Sequence, residues 1–282
     1  MMHESDKHWE IKPESSLLDV KIKETLEYRD LLWLLVRRDF ISFYKQTVLG
    51  PIWFFIQPIF TVVMYSLIFG GVAGISTDNL PKPLFYLAGI ITWNYFSDCL
   101  IKTSTVFRDN AIIFGKVYFP RLIMPVSIIF SNLIRFGVQL LLFLLMMLYY
   151  HLQGAHFHPT VFILLFPLLL LLMASLGLGL GMIVSALTTK YRDLAFIVSF
   201  GVPLLMYSTT VVYPLSVAPK QFLGVIKYNP MTPIIETFRL GFLGTGSFSW
   251  HLLIYSATVT FLILLGGIII FNKVQKSFVD TV

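Results

Sequence analysis

The chain has 282 residues, 56% of them hydrophobic and 13% charged, with a formal net charge of +6. Soluble domains carry about 25% charged residues, so an ordinary soluble globular protein is excluded and the composition points to an all-α polytopic membrane protein. One cysteine, Cys99, lies inside an apolar run and leaves no disulfide framework.

Residues 1–25 are polar and read as a flexible cytoplasmic N-terminus with no cleavable signal peptide, since the first long apolar run begins only after Lys45. Residues 26–45, LEYRDLLWLLVRRDFISFYK, place Tyr28, Leu31, Leu32 and Leu35 at helical spacing. Their length and charge exclude a span. The expectation is an amphipathic helix on the cytoplasmic surface, with Trp33 in the interface and Arg37, Arg38 and Lys45 toward lipid phosphates. A plain anchoring helix fits the same residues.

Six spans are read from the uncharged runs, at about 52–73, 84–102, 122–150, 160–187, 194–213 and 250–271. Gly50-Pro51 opens the first of them, since proline suits a first helical turn. Sixteen Lys and Arg fall in segments on the N-terminal side of the membrane and four on the other. The positive-inside bias then places both termini in the cytoplasm.

Span two holds an aromatic cluster, Phe85, Tyr86, Trp93, Tyr95 and Phe96. An interfacial belt explains much of it. Trp93, however, lies about ten residues into the span, near mid-membrane at ~1.5 Å per residue. Asp98 and Lys102, four apart, are placed to pair at the inner end. The second cytoplasmic segment, TSTVFRDNAIIFGKVYFPRLIMP, is too charged to span and too apolar to be solvated, so the bilayer surface or a partner should cover it.

Span three carries a polar stripe, Ser127, Ser131/Asn132, Arg135 and Gln139, on one face. An intramembrane Arg is costly and marks either a functional site or a stripe satisfied by neighbouring helices. His151, His156 and His158 lie in an outer loop without carboxylate or cysteine partners and read as loop residues, so no metal site is expected. Gly177 and Gly181 in span four have the small-xxx-small spacing of close helix packing. Arg-Asp dipeptides at 29–30, 38–39, 108–109 and 192–193 all fall in cytoplasmic segments, where they fit helix capping and topology charge or ionic docking to a partner.

Between spans five and six, residues 214–246 are apolar but interrupted by Pro214, Pro219, Pro230 and Pro233. The pieces left, Phe222–Tyr228 and Pro233–Leu243, are far shorter than the ~20 residues of a span. A re-entrant helical hairpin fits, and such backbone persists at membrane depth only when buried in protein or lining a cavity. A surface-lying connector helix is the alternative. Glu236 and Arg239, three apart, are placed to pair across one helical turn; a merely interfacial pair would contribute under ~1 kcal/mol.

Five ordered stretches carry a resemblance: RRDF…YKQTVLGPIW…QP at 37–58, GKVYFPRLIMP at 115–125, TTKYRDL at 188–194, VVYPLSVAP at 211–219 and YNPMTPIIETFR at 228–239. Together they resemble the permease subunit of ABC-2-type polysaccharide exporters, the O-antigen and capsule group, from about residue 30 to the C-terminus. Phe43-Tyr44 departs from the Arg-Tyr common in that group. The resemblance implies a homodimer in the bacterial inner membrane, paired with two cytoplasmic ABC ATPase subunits that bind ATP and Mg, and a polyprenyl diphosphate-linked glycan as substrate.

The same resemblance implies roles for particular residues. Arg108, Asp109, Gly115, Lys116, Tyr191, Arg192 and Asp193 would couple to the ATPase. Trp33, Arg37, Arg38 and Asp39 would belong to the interface helix. Channel-lining candidates are Tyr65, Trp93, Tyr95, Phe96, Tyr207 and Tyr213, and outer-gate candidates are Asn229, Pro230, Glu236 and Arg239.

The residues themselves agree that ATP hydrolysis belongs to a separate subunit, and the chain is expected to be a permease subunit and not an enzyme. Gly115-Lys116 is followed by Val117, and Asn110 stands where a Walker A loop needs its first glycine. No cofactor or nucleic-acid partner is expected. Rival functions are an ABC-2 exporter of teichoic acid or a small molecule, a membrane enzyme acting on polyprenyl-linked sugars, and a passive channel or scaffold. The enzyme fits poorly, because Asp78, Asp98, Asp109, Asp193 and Glu236 are scattered and build no general acid/base pair.

Overall fold

The computed structural model describes residues 27–45, 47–114 and 119–279. The N-terminal segment 1–25 and the coupling candidates Gly115 and Lys116 lie outside the described residues. The described chain is all-helical, with no strand.

Helix α1, Arg29–Tyr44, is followed by a 3₁₀ turn at Gly50–Ile52 and by α2, Trp53–Tyr65, which continues as a π-helix over Ser66–Val72. Then come α3, Lys82–Thr103, the short α4, Val106–Asp109, and α5, Ala111–Phe114. Helix α6 spans Ile123–Leu152, α7 Phe166–Thr188 and α8 Leu194–Leu205. After α8 the short α9, Leu223–Lys227, and α10, Met231–Leu243, precede α11, Trp250–Val279.

Among the described residues, five helical runs are long and apolar enough to cross a membrane: Gly50–Val72, Lys82–Thr103, Ile123–Leu152, Val161–Thr188 and Trp250–Gln275. The expected span at 194–213 is shorter than its apolar run. Helix α8 ends at Leu205, one 3₁₀ turn continues to Ser208, and Thr209 is extended with φ −126° and ψ 174°. Pro203 lies inside α8 and removes an amide donor from its last turns.

Helix α3 is the centre of the bundle. It packs against α2, α6, α7, α8 and α10, and nearly every side chain from Leu84 to Leu100 is buried. Close approach comes from small residues on α7. A β-carbon on Gly177 would stand 2.8 Å from the Phe96 carbonyl oxygen, and one on Gly181 would stand 2.6 Å from Thr103 Cβ. Gly179 points the other way, where a β-carbon would lie 2.8 Å from Leu264 Cα on α11.

A second core closes the end of the bundle next to α1. It contains Leu35, Val106, Phe107, Phe114, Phe119, Ile123 and Phe271, with Tyr28, Leu31 and Leu32 packed against it. Phe107 stacks on Phe271 with ring centroids 4.5 Å apart. Tyr28 and the α1 residues Leu31, Leu32 and Leu35 pack on this core. One expectation changes here: Val106, Phe107 and Phe114 are covered from within the same chain, because Phe271 of α11 reaches them.

Polar residues along α3 and α6 also pair differently from their spacing. Lys102 Nζ donates to Asn132 Oδ1 at 2.8 Å, across the helix interface. Asp98 lies 3.7 Å from Arg135 Nη1. The stripe on α6 therefore faces the bundle, with Ser127, Ser131 and Asn132 buried.

Candidate functional site

Helix α10 is buried over nearly its whole circumference, although its sequence is that of a surface-length piece. Pro230 stands before its first turn and Gly244 ends it with φ +73°, the left-handed cap that favours glycine. Neighbouring segments satisfy its ends. Thr160 donates through N to the Gly241 carbonyl at 2.9 Å and through Oγ1 to the Leu240 carbonyl at 2.8 Å. Asn229 Oδ1 accepts from the Met231 amide at 3.0 Å, while its Nδ2 donates to Ser208 Oγ at 3.2 Å. Ser256 Oγ on α11 donates to the Pro230 carbonyl at 2.7 Å. Asn229 and Pro230 thus join the broken end of α8 to α10 and α11.

Within α10, Glu236 and Arg239 form an ion pair, Oε1 to Nη1, at 3.6 Å, with side chains 3% and 1% exposed. It is a buried pair and not the interfacial one whose small contribution the spacing alone suggests. Burying two charges is unfavourable unless other groups satisfy them, and here other groups satisfy part of the need, with Glu236 Oε1 and Arg239 Nε left without a hydrogen bond. Arg239 Nη1 donates to the Thr210 carbonyl, and Nη2 donates to the Val211 carbonyl at 2.9 Å. The guanidinium lies 3.6 Å over the centroid of the Phe85 ring. Glu236 Oε2 accepts from the Ser247 amide at 2.9 Å and from its hydroxyl at 3.2 Å.

Those carbonyls explain why the apolar run after α8 leaves the helix. Thr210 and Val211 direct C=O groups at a guanidinium on another segment, which supplies donors where helical amides would have done so. Room for the guanidinium comes from α3, since a β-carbon on Gly89 would sit 2.7 Å from Arg239 Nη2 and 3.0 Å from the Val211 oxygen. One side chain on α10 therefore ties together α3, the end of α8 and, through Glu236, the loop before α11.

The remaining candidates distribute between the two ends of the bundle. Trp93, Tyr95 and Phe96 are buried in the main core, with Trp93 against Phe96 and Tyr95 against Phe136, each at 5.2 Å. Tyr207 and Tyr213 line a cavity of about 680 Å³ with Gly74, Leu204, Phe222 and Val225. Tyr213 Oη donates to the Tyr207 carbonyl at 2.8 Å. Tyr65 stands beside that region, its ring edge-on to Tyr86 at 6.1 Å.

At the opposite end, Trp33 is 64% exposed and Arg37 is exposed beside it on α1. Arg38 Nε and Nη2 donate to Asp39 Oδ1 at 3.0 and 2.9 Å. Arg108 Nε donates to Asp109 Oδ1 at 3.0 Å, and Thr105 Oγ1 donates to Asp109 Oδ2 at 2.6 Å. Tyr191, Arg192 and Asp193 are exposed in the turn between α7 and α8, with Lys190 Nζ 5.4 Å from the Tyr191 ring centroid. A cleft of about 490 Å³ brings Arg38, Asp39 and Asp109 together with Lys102 and Arg135.

Sequence reading missed Gly89, Thr210 and Ser247, and took Phe85 only as a member of an aromatic cluster. A glycine amid the aromatic residues of α3 is the one local signal that something bulky approaches there. Among the described residues no group of three or more His, Cys, Asp or Glu is placed to hold a metal ion.

Comparison with known proteins places these features. Residues 30–243 match the family described as ABC-2 type transporter. The chain is 28% identical to the O-antigen export system permease protein RfbA of Myxococcus xanthus, over 93% of this chain and 98% of that protein. It is 26% identical to an RfbA of Klebsiella pneumoniae over 93% and 99%. The polysialic acid transport protein KpsM of Escherichia coli is 23% identical over 68% of this chain and 72% of its own length.

Proposed function

Because the chain belongs to the ABC-2 type transporter family, we propose that it is the permease of an ATP-driven exporter moving a lipid-linked polysaccharide of the O-antigen or capsule kind. Similarity along 93% of the chain to O-antigen export permeases carries this conclusion. The cargo is a glycan on polyprenyl diphosphate, passed from the cytoplasmic face across a bacterial inner membrane. ATP and Mg belong to a separate ABC ATPase, two copies of which serve a permease homodimer.

In this proposal residues 46–282 form the transmembrane domain behind the flexible 1–25 segment and the interface helix at 26–45. The chain crosses six times, the fifth crossing being made by α8 and the extended residues that follow it. Both termini are cytoplasmic. Residues 214–246 form a re-entrant gate on the outer side, supported by the burial of α10 despite its 13 residues. Arg108, Asp109, Tyr191, Arg192 and Asp193 meet the ATPase, supported by their exposure on the short helix α4 and the turn between α7 and α8 at one end of the bundle. Gly115 and Lys116 are assigned there from the resemblance alone. Tyr65, Tyr207 and Tyr213 line the export path; Trp93, Tyr95 and Phe96, the other channel candidates, pack inside the protomer's own core and are not assigned to it. The ring faces of the three path tyrosines suit the C–H faces of sugars.

Depletion of the protein in living cells tests the proposal. Lipid extracts should accumulate a polyprenyl-linked glycan while the surface polymer disappears. An unchanged surface polymer without accumulation would remove polysaccharide export and leave a small-molecule ABC-2 exporter.

A further inference from the structure

Beside the Glu236–Arg239 pair lies a pocket of about 390 Å³, lined by Asp78, Leu215, Ser216, Leu223, Lys227, Glu236, Gly246 and Ser247. These residues come from four separate segments: the loop before α3, the 3₁₀ turn after α8, α9, and α10 with its following loop. Asp78 reaches it from a tight turn. Asp78 and Asn79 both have left-handed backbones, with φ of 51° and 65°, a region that Asp and Asn enter more readily than other residues with side chains. The turn is held by Thr77 Oγ1 donating to the Leu80 carbonyl at 2.8 Å, and Ser216 Oγ donates to Asp78 Oδ1 at 2.9 Å.

The pocket is chemically mixed in a specific way. Asp78 accepts hydrogen bonds, Lys227 donates them, and the hydroxyls of Ser216 and Ser247 do both. Glu236 is 3% exposed, and its Oε1 accepts no hydrogen bond. Its charge is paired with Arg239, and the rest of the lining adds one acid, Asp78, and one base, Lys227, so the formal charges of the site cancel. A neutral site with charged acceptors and donors around an apolar wall, Leu215 and Leu223, fits neither a free anion nor a divalent cation, which Lys227 would repel. It fits a ligand that carries many hydroxyls on one edge and C–H groups on the other.

We propose that this pocket is a saccharide subsite that binds one or two pyranose rings of a neutral stretch of glycan. Vicinal hydroxyls donate to Asp78, ring and hydroxyl oxygens accept from Lys227 and the serines, and the C–H face rests on Leu215 and Leu223. Occupancy places the sugar against Ser247, the residue that caps Glu236, and so against the loop between α10 and α11. The choice of glycan rests on the exporter reading; the pocket's chemistry does not.

The test uses the full-length chain in native-lipid nanodiscs and, as probe, the producing cell's own surface glycan released from its lipid by mild acid. Saturation-transfer NMR reads binding. The wild type should transfer magnetisation to the glycan, and Asp78→Asn should weaken apparent affinity about tenfold, the loss of one charge-assisted hydrogen bond. Asparagine tolerates the left-handed backbone, so the melting temperature should not move. Should it fall, Lys227→Gln on the exposed side of α9 gives the same reading without touching the turn. No transfer to the wild type, or equal transfer to both variants, overturns the proposal. So does a calcium-dependent rise in melting temperature that Asp78→Asn abolishes, which makes the pocket a cation site. Failure of the exporter reading is seen separately, as surface glycan that persists after depletion.

Discussion

Gly89 on α3 and Arg239 on α10, 150 positions apart, occupy one volume: the β-carbon that glycine lacks would stand 2.7 Å from Arg239 Nη2. The guanidinium cannot swing aside freely, because its nitrogens are held by the Thr210 and Val211 carbonyls and its face by Phe85. Gly89→Ala should therefore destabilise the bundle by about 1–3 kcal/mol, the usual cost of overpacking. The check is thermal unfolding in nanodiscs. The contrasting variant is Gly137→Ala on α6, where nothing lies within 4 Å of the new carbon; it should stabilise by a few tenths of a kcal/mol to about 1 kcal/mol.

Removing Arg239 should be costlier than removing its partner. Arg239→Met strands the buried Glu236 carboxylate and the Thr210 and Val211 carbonyls, and loss of one partner of a buried pair costs about 3–5 kcal/mol. Glu236→Gln keeps a carbonyl acceptor for Ser247 and leaves Arg239 its backbone acceptors, so its loss should be smaller. The double variant should be less destabilised than the sum of the two. Equal export by Glu236→Gln and wild type would remove Glu236 from the gate.

Helix packing gives a third expectation. Gly177→Leu and Gly181→Leu should each prevent close approach of α7 to α3, where the nearest atoms are Phe96 O at 2.8 Å and Thr103 Cβ at 2.6 Å. Little folded protein should be recovered by size-exclusion chromatography.

Cys99 reports on the same interface. It is fully buried, and Asn132 Nδ2 lies 3.7 Å from its sulfur. A maleimide should label it only after denaturation. Rapid labelling of the native protein would show that α3 is accessible.

Arg108 on the short helix α4 and Arg192 in the turn between α7 and α8 are both exposed at the α1 end. Arg108→Glu should leave unfolding stability within about 0.5 kcal/mol of wild type, as surface substitutions do, while reducing co-purification of the ATPase subunit. Undiminished co-purification would move the docking surface elsewhere.

Much of the fold was legible along the chain. Hydropathy located Lys82–Thr103, Ile123–Leu152 and Val161–Thr188 to within a few residues, because a spanning helix must be apolar along its own length. The break at Pro230 located α10, although the helix begins at Met231 and takes Pro233 into its first turn, where no intrahelical amide bond is lost; the glycine spacing at 177 and 181 predicted close packing, because both are local backbone effects. Three readings misled. Asp98 and Lys102 are neighbours by spacing, yet Asp98 faces Arg135 and Lys102 bonds Asn132 on α6. The apolar residues of 104–114 looked uncovered because their cover, Phe271, comes from the other end of the chain. The apolar run at 194–213 looked like one helix because a continuous run does not reveal where backbone carbonyls turn away.

The amino-acid sequence by itself determined how many apolar segments exist, where prolines break them and which end carries the positive charge, since hydrophobicity, proline geometry and charge act at the residue that bears them. Only the tertiary structure decided that Glu236 and Arg239 are a buried pair, that Arg239 takes the carbonyls of Thr210 and Val211, and that Gly89 makes room for it. A charge's burial and its acceptors are properties of what surrounds it, and those surroundings come from helices that spacing along one segment cannot relate.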